Sequence, residues 1–399
     1  MRILLVADGR SPITKNWVRM LANKKDQLCL ISTYPSDPIH GIEQQFTLPV
    51  GFSSFAGSQV KHAGQSDPSL RYKIVALLRP VLMRVRAFIT PLFLSVNQEQ
   101  FLSLVKNIDP DIVHALRIPF EGMLSAVLPK EIPLVVSIWG NDLSLHAHTS
   151  FLMASRTRKT LQRADGLLSD ASSDIQMALE WGLSGTVPNI VVPGSGGLNL
   201  NALYKRRSRS ILEKYGVPVN CPLVINPRGF RPGSVHQDVF FRCIPVILDA
   251  IPDAHFICTG MYGQPQAEKW VRKFEVKDSV TLLPFLPQEE LWAFFAHSDV
   301  YISLSSHDGS PNSFLEAIAC GCFPIVGDIP SLQEWIDQGE NGCLVDPHDE
   351  HAAADAVISA LQDQDFRNRA RGINQKLISD RADVQRVKKT VRDFYIQFL

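Results

Sequence analysis

The chain has 399 residues, of which 45% are hydrophobic and 20% are charged, and its 40 Lys and Arg balance its 40 Asp and Glu. This composition excludes a disordered or fibrous protein, and the length suffices for two domains with separate cores. A net charge of zero gives no overall electrostatic attraction to nucleic acid or to an anionic membrane, so we predict no nucleic-acid partner.

The cysteines and the N-terminal residues indicate the cellular compartment. Six of the seven cysteines lie between Cys221 and Cys343, and none forms a CxxC pair or a zinc-type spacing. Free thiols in a reducing cytoplasm are therefore expected. The apolar run at residues 1–7 is too short for a signal peptide, and the longest uncharged segment, residues 181–204, is rich in Pro, Gly, Ser and Asn. We expect a cytoplasmic protein, at most peripheral to a membrane.

The first half of the chain alternates strand and helix patterns. The apolar run Arg2–Ala7 is typical of a buried parallel strand and is followed by turn residues. Residues 16–23 have the apolar spacing of a helix. Further strands are predicted at Gln27–Ser32, Ile112–Ala115, Leu134–Ile138, Gly166–Ser169 and Ile190–Val192. This alternation predicts βαβ units in a doubly wound sheet.

The same alternation restarts after Gly194–Gly197. Strands are predicted at Leu223–Asn226, His255–Thr259, Val280–Leu283, Val300–Ser303 and Phe323–Val326, and helices at Gln237–Ala250, Glu289–Ala296 and Pro311–Ala319. Apolar residues at helical spacing predict a last long helix over residues 382–399. The fold class is therefore α/β, with an N-terminal domain at 1–195, a C-terminal domain at 196–380 and a final helix at 381–399. Ligands of open parallel sheets bind beyond the carboxyl ends of the strands, so we expect a site in the crevice between the domains.

The segment Ser305–Gly321 follows one of these strands and opens a helix. Pro311 suits the first helical position and Gly321 suits the helix end, while Gly309 permits close approach of a ligand to the backbone. A helix start of this kind can hold a phosphate. Asp308 precedes the helix and Glu316 lies in its second turn, where a carboxylate can reach ligand hydroxyls. The alternative is an ordinary capped helix with a solvated Glu.

A second segment, Asn226–Pro232, directly follows another predicted strand. Its two guanidinium groups, Arg228 and Arg231, can hold a diphosphate through paired hydrogen bonds. An ordinary charged surface loop is the alternative interpretation.

The segment from Asp308 to Glu316 resembles the E-x7-E signature of family four (group one) retaining glycosyltransferases of the GT-B type. Gly321–Val326 and Glu340–Pro347 are similar to two further segments of that family. The resemblance implies two Rossmann-like domains facing across a cleft, with the C-terminal helix crossing back to the N-terminal domain. Asp308 stands where the family usually has Glu.

The resemblance also implies roles for the residues of these segments. Glu316 would bind the nucleotide ribose, Asp308 would contact the transferred hexose, and Arg228 would bind the donor phosphates. Gly233 stands where the family has a Lys, so Arg231 is the candidate for the second cation. The remaining loop residues implied to hold the sugar and diphosphate are Gly309, Ser310, Pro311, Asn312 and Ser313.

The N-terminal half supplies the acceptor side in this family. His114 ends a predicted strand, and Trp139–Asp142 ends another, with Trp139 in place of a histidine that commonly touches the donor sugar. His114 and Asp142 are therefore candidate helpers of the reaction. Either could instead be structural, since Asp142 also suits a helix N-cap.

Residues 68–98 carry five Arg and Lys and no acidic residue, with apolar residues interleaved. Such a segment can lie on an anionic membrane surface, and a core helix with solvated cations is the alternative.

The resulting prediction is an enzyme that transfers a sugar from a nucleoside diphosphate sugar to an acceptor hydroxyl, and the resemblance implies retention of the anomeric configuration. The acceptor would be a glycan, a lipid-linked molecule or a small molecule, and no cofactor beyond the donor is expected. His146 and His148 have no apparent third ligand, so we predict no metal. Two alternatives stay open: a nucleotide-sugar epimerase on the same fold and a non-catalytic glycosyltransferase-like subunit.

Overall fold

The computed structural model describes residues 1–23, 25–51, 94–205 and 208–399. They form two compact units. Unit 1 contains the described residues up to Gly197 together with Val384–Leu399, and unit 2 contains those of Leu198–Asp383. The basic segment 68–98 lies outside the described residues except for its last five. None of the helices in the described ranges is both long and apolar enough to cross a bilayer.

Unit 1 is built on a parallel sheet of seven strands. In chain order these are β1 Arg2–Ala7, β2 Gln27–Ser32, β3 Gln44–Thr47, β4 Ile112–Ala115, β5 Leu134–Ile138, β6 Gly166–Ser169 and β7 Asn189–Val191. Their spatial order is β3-β2-β1-β4-β5-β6-β7. Alternate residues of β1 enter different apolar clusters, Leu4 with Val6 and Ile3 with Leu5, so both faces of the sheet are covered.

The helices of unit 1 pack on those two faces. They are α1 Pro12–Leu21, α2 Gln98–Ile108, α3 Met123–Ser125, α4 Phe151–Arg163 and α5 Ser172–Glu180. The predicted first helix begins four residues earlier than expected. Ser11 accepts a hydrogen bond from the backbone N–H of Ile13 as N-cap, and Pro12 takes the first turn, where its missing N–H costs nothing.

The last helix of the described residues, α15, is Val384–Ile396 and belongs to unit 1. Its apolar face contributes Val387, Val391 and Phe394 to the cluster that also contains Trp17. The helix that the sequence predicts at the C-terminus therefore completes the core of the N-terminal domain.

Unit 2 is a parallel sheet of six strands. These are β8 Leu223–Asn226, β9 His255–Thr259, β10 Val280–Leu283, β11 Val300–Ser303, β12 Phe323–Gly327 and β13 Cys343–Val345. The spatial order is β10-β9-β8-β11-β12-β13. The order of the strands reverses between β8 and β11, as it does between β1 and β4 in unit 1, and such switch points are where ligands bind in open sheets.

The helices of unit 2 are α6 Leu200–Lys205, α7 Ser210–Lys214, α8 Gln237–Ala250, α9 Pro265–Lys273, α10 Gln288–Phe295, α11 Asn312–Cys320, α12 Pro330–Gln333, α13 Glu350–Gln362 and α14 Gln364–Arg381. Pro311 is the N-cap of α11 rather than its first helical residue, because its ψ of 131° is extended. Gly321 ends α11 as expected, in the left-handed conformation with φ 104°.

Candidate functional site

The loop after β8 is fixed by side-chain amides. The Asn226 side chain donates to Gln237 Oε1 over 2.7 Å and accepts from the Arg228 backbone N–H over 3.2 Å. Gln237 Nε2 in turn donates to the Gly229 carbonyl over 2.7 Å. All three groups are buried, so the bonds are protected from competition by water. The loop therefore presents Arg228 from a rigid support.

The Arg228 side chain crosses the switch point of unit 2. It is 5% exposed and forms an ion pair with Asp308, which follows β11. Nη1 of the same guanidinium lies 3.4 Å from Ser313 Oγ in the first turn of α11, and its Nε has no partner. Three of the predicted donor-site residues therefore meet at one point.

The loop Ser305–Pro311 is held on several sides. Ser234 Oγ donates to the His307 carbonyl, and Ser331 Oγ donates to the Asp308 carbonyl over 2.8 Å. The Trp335 indole N–H donates to Ser310 Oγ over 2.7 Å. Because each turn of the loop has its own side-chain partner, Asp308 and the start of α11 keep a defined geometry.

Glu316 lies in the second turn of α11, as predicted, but it is buried rather than solvated. It is 4% exposed and accepts a 2.6 Å hydrogen bond from Gln288 Nε2 on α10. Burial raises the pKa of Glu316 to about 7. The ordinary solvated carboxylate considered from the sequence is thereby excluded.

Arg231 lies three residues beyond Arg228 and is exposed. The positive charge of Arg228 is the main cause that lowers the pKa of Arg231 to about 10, with desolvation adding to it. The two guanidinium groups therefore repel each other, and a diphosphate between them would relieve that repulsion.

The switch point of unit 1 carries a cavity of about 420 Å³. It is lined by Asp8 after β1, Leu116 and Arg117 after β4, and Trp139 after β5. Apolar side chains of the following turns, including those of Phe120, Leu145 and Met153, also line its wall. The sequence pointed to Trp139 and its neighbours but not to this cavity.

Asp142 does not line this cavity, and it is completely buried. Its carboxylate accepts hydrogen bonds from Arg117 Nε over 2.7 Å and from the backbone N–H groups of Ile118 and Trp139 over 3.3 Å each. Asp142 thus orients two cavity residues, Arg117 and Trp139, and has no exposed surface of its own.

His114 corrects the expectation of a second helper. It is fully buried within the core of unit 1, with Nδ1 2.6 Å from the Tyr395 hydroxyl and Nε2 2.7 Å from Ser137 Oγ. Burial lowers the pKa of His114 to about 3. With both ring nitrogens engaged and no exposed surface, this histidine links β4 to α15 and does not reach a substrate.

Comparison with known proteins identifies the domain that holds the Arg228 site. Residues 223–376 match the family "Glycosyl transferases group 1". The match lies entirely within unit 2. The matched residues include both Arg228 and the segment from Asp308 to Glu316.

Relatives that match part of the chain include enzymes named as glycosyltransferases. The chain is 26% identical over 188 residues to D-inositol 3-phosphate glycosyltransferase of Corynebacterium glutamicum (strain R), covering 45% of each chain. It is 25% identical over 207 residues to N-acetyl-alpha-D-glucosaminyl L-malate synthase of Bacillus anthracis, covering 49% of this chain and 52% of the relative. These matches span about half the length of the relatives.

Solved structures extend the likeness in fold to the whole chain. Sucrose-phosphate synthase from Thermosynechococcus elongatus superposes with a TM-score of 0.75 at 16% identity, covering 100% of this chain and 98% of that one. Anabaena Alr3699/HepE, solved in complex with UDP-glucose, gives 0.70 at 14% identity and covers both chains completely. The GT-B fold class expected from the sequence is confirmed.

Unit 2 also contains supporting residues that the sequence patterns did not reveal. They are Gln237, Gln288, Ser331 and Trp335, each of which bonds to a site residue or loop from another element. Gly327 is a fifth, because a Cβ there would lie 2.1 Å from the Ser305 carbonyl oxygen. A glycine that directly ends a predicted strand was the one signal available for it.

Proposed function

We propose that the chain is a glycosyltransferase that moves a sugar from a nucleoside diphosphate sugar to an acceptor hydroxyl with retention of the anomeric configuration. The observation that carries the proposal is the meeting of Arg228, Asp308 and the start of α11 at the switch point of unit 2, within the residues that match group 1 glycosyl transferases. The acceptor belongs to polysaccharide, glycolipid or other glycoconjugate synthesis. The same fold could host an epimerase, but no relative or structural feature reported above favours one.

The donor would lie along the start of α11. Arg228 and Arg231 would bind the diphosphate, and the backbone from Gly309 to Ser313 would supply N–H groups at the positive end of the helix dipole. Glu316 would accept hydrogen bonds from the ribose hydroxyls. Asp308 would contact the hexose after the diphosphate takes over Arg228.

The reaction breaks the bond between the anomeric carbon and the diphosphate oxygen. Negative charge grows on the diphosphate as this bond breaks, and two guanidinium groups with a helix start stabilise that charge. These groups supply the positive charge that a metal ion supplies in other enzymes, so we propose metal-independent transfer. In the described residues no group of three or more His, Cys, Asp and Glu side chains is arranged to hold a metal. The acceptor hydroxyl would attack on the face that the diphosphate leaves, and its proton would pass to the departing diphosphate oxygen.

The proposal is tested in two steps. Calorimetric titration with UDP, GDP and ADP identifies the base, and Arg228→Ala should weaken binding at least tenfold because the principal phosphate ligand is lost. Proton NMR of the transfer product then reports its anomeric configuration. Nucleotide binding that survives both Arg228→Ala and Glu316→Ala would contradict the site, and an inverted product would contradict retention. Release of a changed nucleotide sugar without acceptor would favour the epimerase.

The proposal includes work at the cytoplasmic face of a membrane, with residues 68–98 in contact with anionic lipid. It rests on the five cations and the interleaved apolar residues of that segment. Sedimentation with vesicles that contain 0% or about 30% anionic lipid tests it, since electrostatic binding should depend on the anionic lipid and fall with salt.

A further inference from the structure

The two guanidinium groups at the cavity of unit 1 are already paired with carboxylates of the chain. Arg117 is the only Arg or Lys among the described residues that line it, and its Nε donates to the buried Asp142 carboxylate over 2.7 Å. Arg10, beside the cavity, forms a 2.9 Å ion pair with Asp8 and stacks on Tyr34, with its guanidinium carbon 3.6 Å from the ring centre. No guanidinium here is left without a carboxylate partner, so a ligand phosphate would have to compete for it.

The start of α1 also opens onto this cavity, since Ser11 and Thr14 line it. A helix start attracts anions, but the acidic side chain of Asp8 already lies there and accepts the Arg10 backbone N–H over 3.0 Å. Ser11 Oγ takes the N–H of Ile13. The local charge is thus balanced before any ligand binds.

A buried carboxyl group adds to this balance. Glu121 lines the cavity, is 6% exposed and accepts a 2.7 Å hydrogen bond from Thr33 Oγ1. Burial raises the pKa of Glu121 to about 7. Any charge that this side chain gains is negative and would repel an anionic ligand.

Two uncharged polar atoms in the wall lack partners. Thr14 is 1% exposed, and its Oγ1 has no hydrogen-bond partner. The buried indole Nε1 of Trp139 has none either. Buried polar atoms are normally paired, so an unpaired hydroxyl and an unpaired N–H in one cavity wall indicate the atoms that a ligand completes. The indole N–H donates and the hydroxyl donates or accepts, so a ligand hydroxyl can pair with both without carrying a charge.

We infer that this cavity is the acceptor site and that it takes an uncharged hydroxylated acceptor with an apolar face, rejecting acceptors that carry a phosphate or carboxylate. The inference rests on the proposed function, since only a sugar transfer requires an acceptor. An uncharged acceptor would differ from the anionic compounds in the names of the two relatives, which include inositol 3-phosphate and L-malate. The apolar face would pack on Phe120, Leu145 and Met153, and a ligand hydroxyl would pair with Thr14 and Trp139.

The test compares matched ligands that differ by one phosphate. The probes are the 4-nitrophenyl glycosides of glucose, galactose, mannose and N-acetylglucosamine, each with its 6-phosphate, titrated into the full chain at pH 8, where ordinary imidazoles are neutral. At least one neutral glycoside should bind about tenfold more tightly than its own 6-phosphate. Titration of UDP, GDP and ADP into the same samples reports the donor site separately.

Two variants assign the binding to the cavity. Thr14→Val should weaken the bound neutral glycoside about threefold to tenfold, the value of one neutral hydrogen bond. Thr157→Val is the matched control, because Thr157 is equally buried with an unpartnered hydroxyl but does not line the cavity. Asp8→Asn releases Arg10 and should bring the 6-phosphate to at least the affinity of its parent.

The inference is overturned if a 6-phosphate binds wild type more tightly than its parent glycoside, or if Thr14→Val and Thr157→Val act alike. It is also overturned if a nucleoside diphosphate binds but no neutral glycoside does. Loss of nucleotide binding alone contradicts the proposed function instead, so the two failures are distinguishable.

Discussion

Arg228, in the loop after β8, and Asp308, in the loop after β11, form an ion pair across the switch point of unit 2. Their side chains are 5% and 14% exposed, so the pair is largely shielded from water. A diphosphate that binds Arg228 must compete with this carboxylate. The pair therefore couples donor binding to the position of Asp308.

Asp308→Asn should separate the two roles of this carboxylate. Without the competing negative charge, nucleoside diphosphate should bind about tenfold more tightly, whereas sugar transfer should fall because Asp308 is proposed to contact the hexose. Arg228 loses its charged partner, so unit 2 should lose about 3 kcal/mol of stability, and saturating nucleotide should restore much of it. Calorimetry and thermal unfolding with and without nucleotide measure these effects.

Asp238→Asn is the matched control for this change. Asp238 pairs with Arg242 in the same unit, but the side chains are 50% and 35% exposed. Exposed pairs contribute little, so the expected loss is below about 1 kcal/mol with unchanged nucleotide affinity. Weaker nucleotide binding by Asp308→Asn would show that the carboxylate supports Arg228 rather than competing for its ligand.

Much of the fold follows from local sequence pattern. Strands such as β8 and β11 are continuous apolar runs, because a parallel sheet covered on both faces buries every residue of its strands. The polar segments beyond these strands, which contain Arg228 and Asp308, then fall at the carboxyl edge of the sheet. Hence the sequence predicted both strands and the loops that carry Arg228 and Asp308.

The remaining parts of the two sites depend on contacts between distant residues. Gln288 reaches Glu316 from 28 positions away, and nothing local distinguishes it from a surface glutamine. His114 looks like a catalytic histidine by its position at the end of a strand, yet its partner Tyr395 comes from the last helix, 281 residues later. The cavity of unit 1 is likewise formed by several strand ends, which no single segment reveals.

Gly327→Ala should displace the loop Ser305–Pro311, which carries Asp308. The added Cβ would lie 2.1 Å from the Ser305 carbonyl oxygen, a backbone atom that cannot move without shifting the loop toward Asp308. We expect a loss of about 2 kcal/mol in stability and at least a several-fold weaker nucleotide affinity. Urea unfolding and calorimetric titration provide the two values.

Gly372→Ala gives the comparison for this glycine. A Cβ at Gly372, inside α14, meets nothing within 4 Å, so alanine should be neutral or stabilise by up to about 1 kcal/mol. If Gly327→Ala behaved like Gly372→Ala, the close packing of β12 against the Ser305 loop would not matter for binding.

His114→Asn should affect stability and not chemistry. Asparagine cannot reach both Tyr395 and Ser137, so a loss of about 2 kcal/mol at neutral pH is expected with an unchanged turnover number. The folded pKa of about 3 lies below the usual 6.5, so wild type loses stability as pH falls below 6.5, when the unfolded chain binds the proton. Between pH 7.5 and 5 this amounts to about 2 kcal/mol, which the variant should lack. A turnover number reduced a hundredfold in well-folded His114→Asn would restore the catalytic interpretation.

Glu316→Gln should raise the stability of the protein and lower its affinity for nucleotide. The folded pKa of about 7 lies above the usual 4.5, so between these values the unfolded chain has lost a proton that the folded chain keeps. Stability of wild type therefore falls by about 3 kcal/mol as pH rises from 4.5 to 7 and changes no further above that. The glutamine keeps the shape without the charge, so its urea midpoint should exceed that of wild type at pH 8 and should rise relative to it across this window.

The nucleotide affinity of Glu316→Gln should fall, because a neutral amide is a weaker acceptor for the ribose hydroxyls. Glu340→Gln, at an exposed position of the same unit, should change neither quantity. A midpoint for Glu316→Gln that stays below wild type at pH 8 would mean that the buried carboxylate stabilises the fold, contrary to the cost that its raised pKa implies.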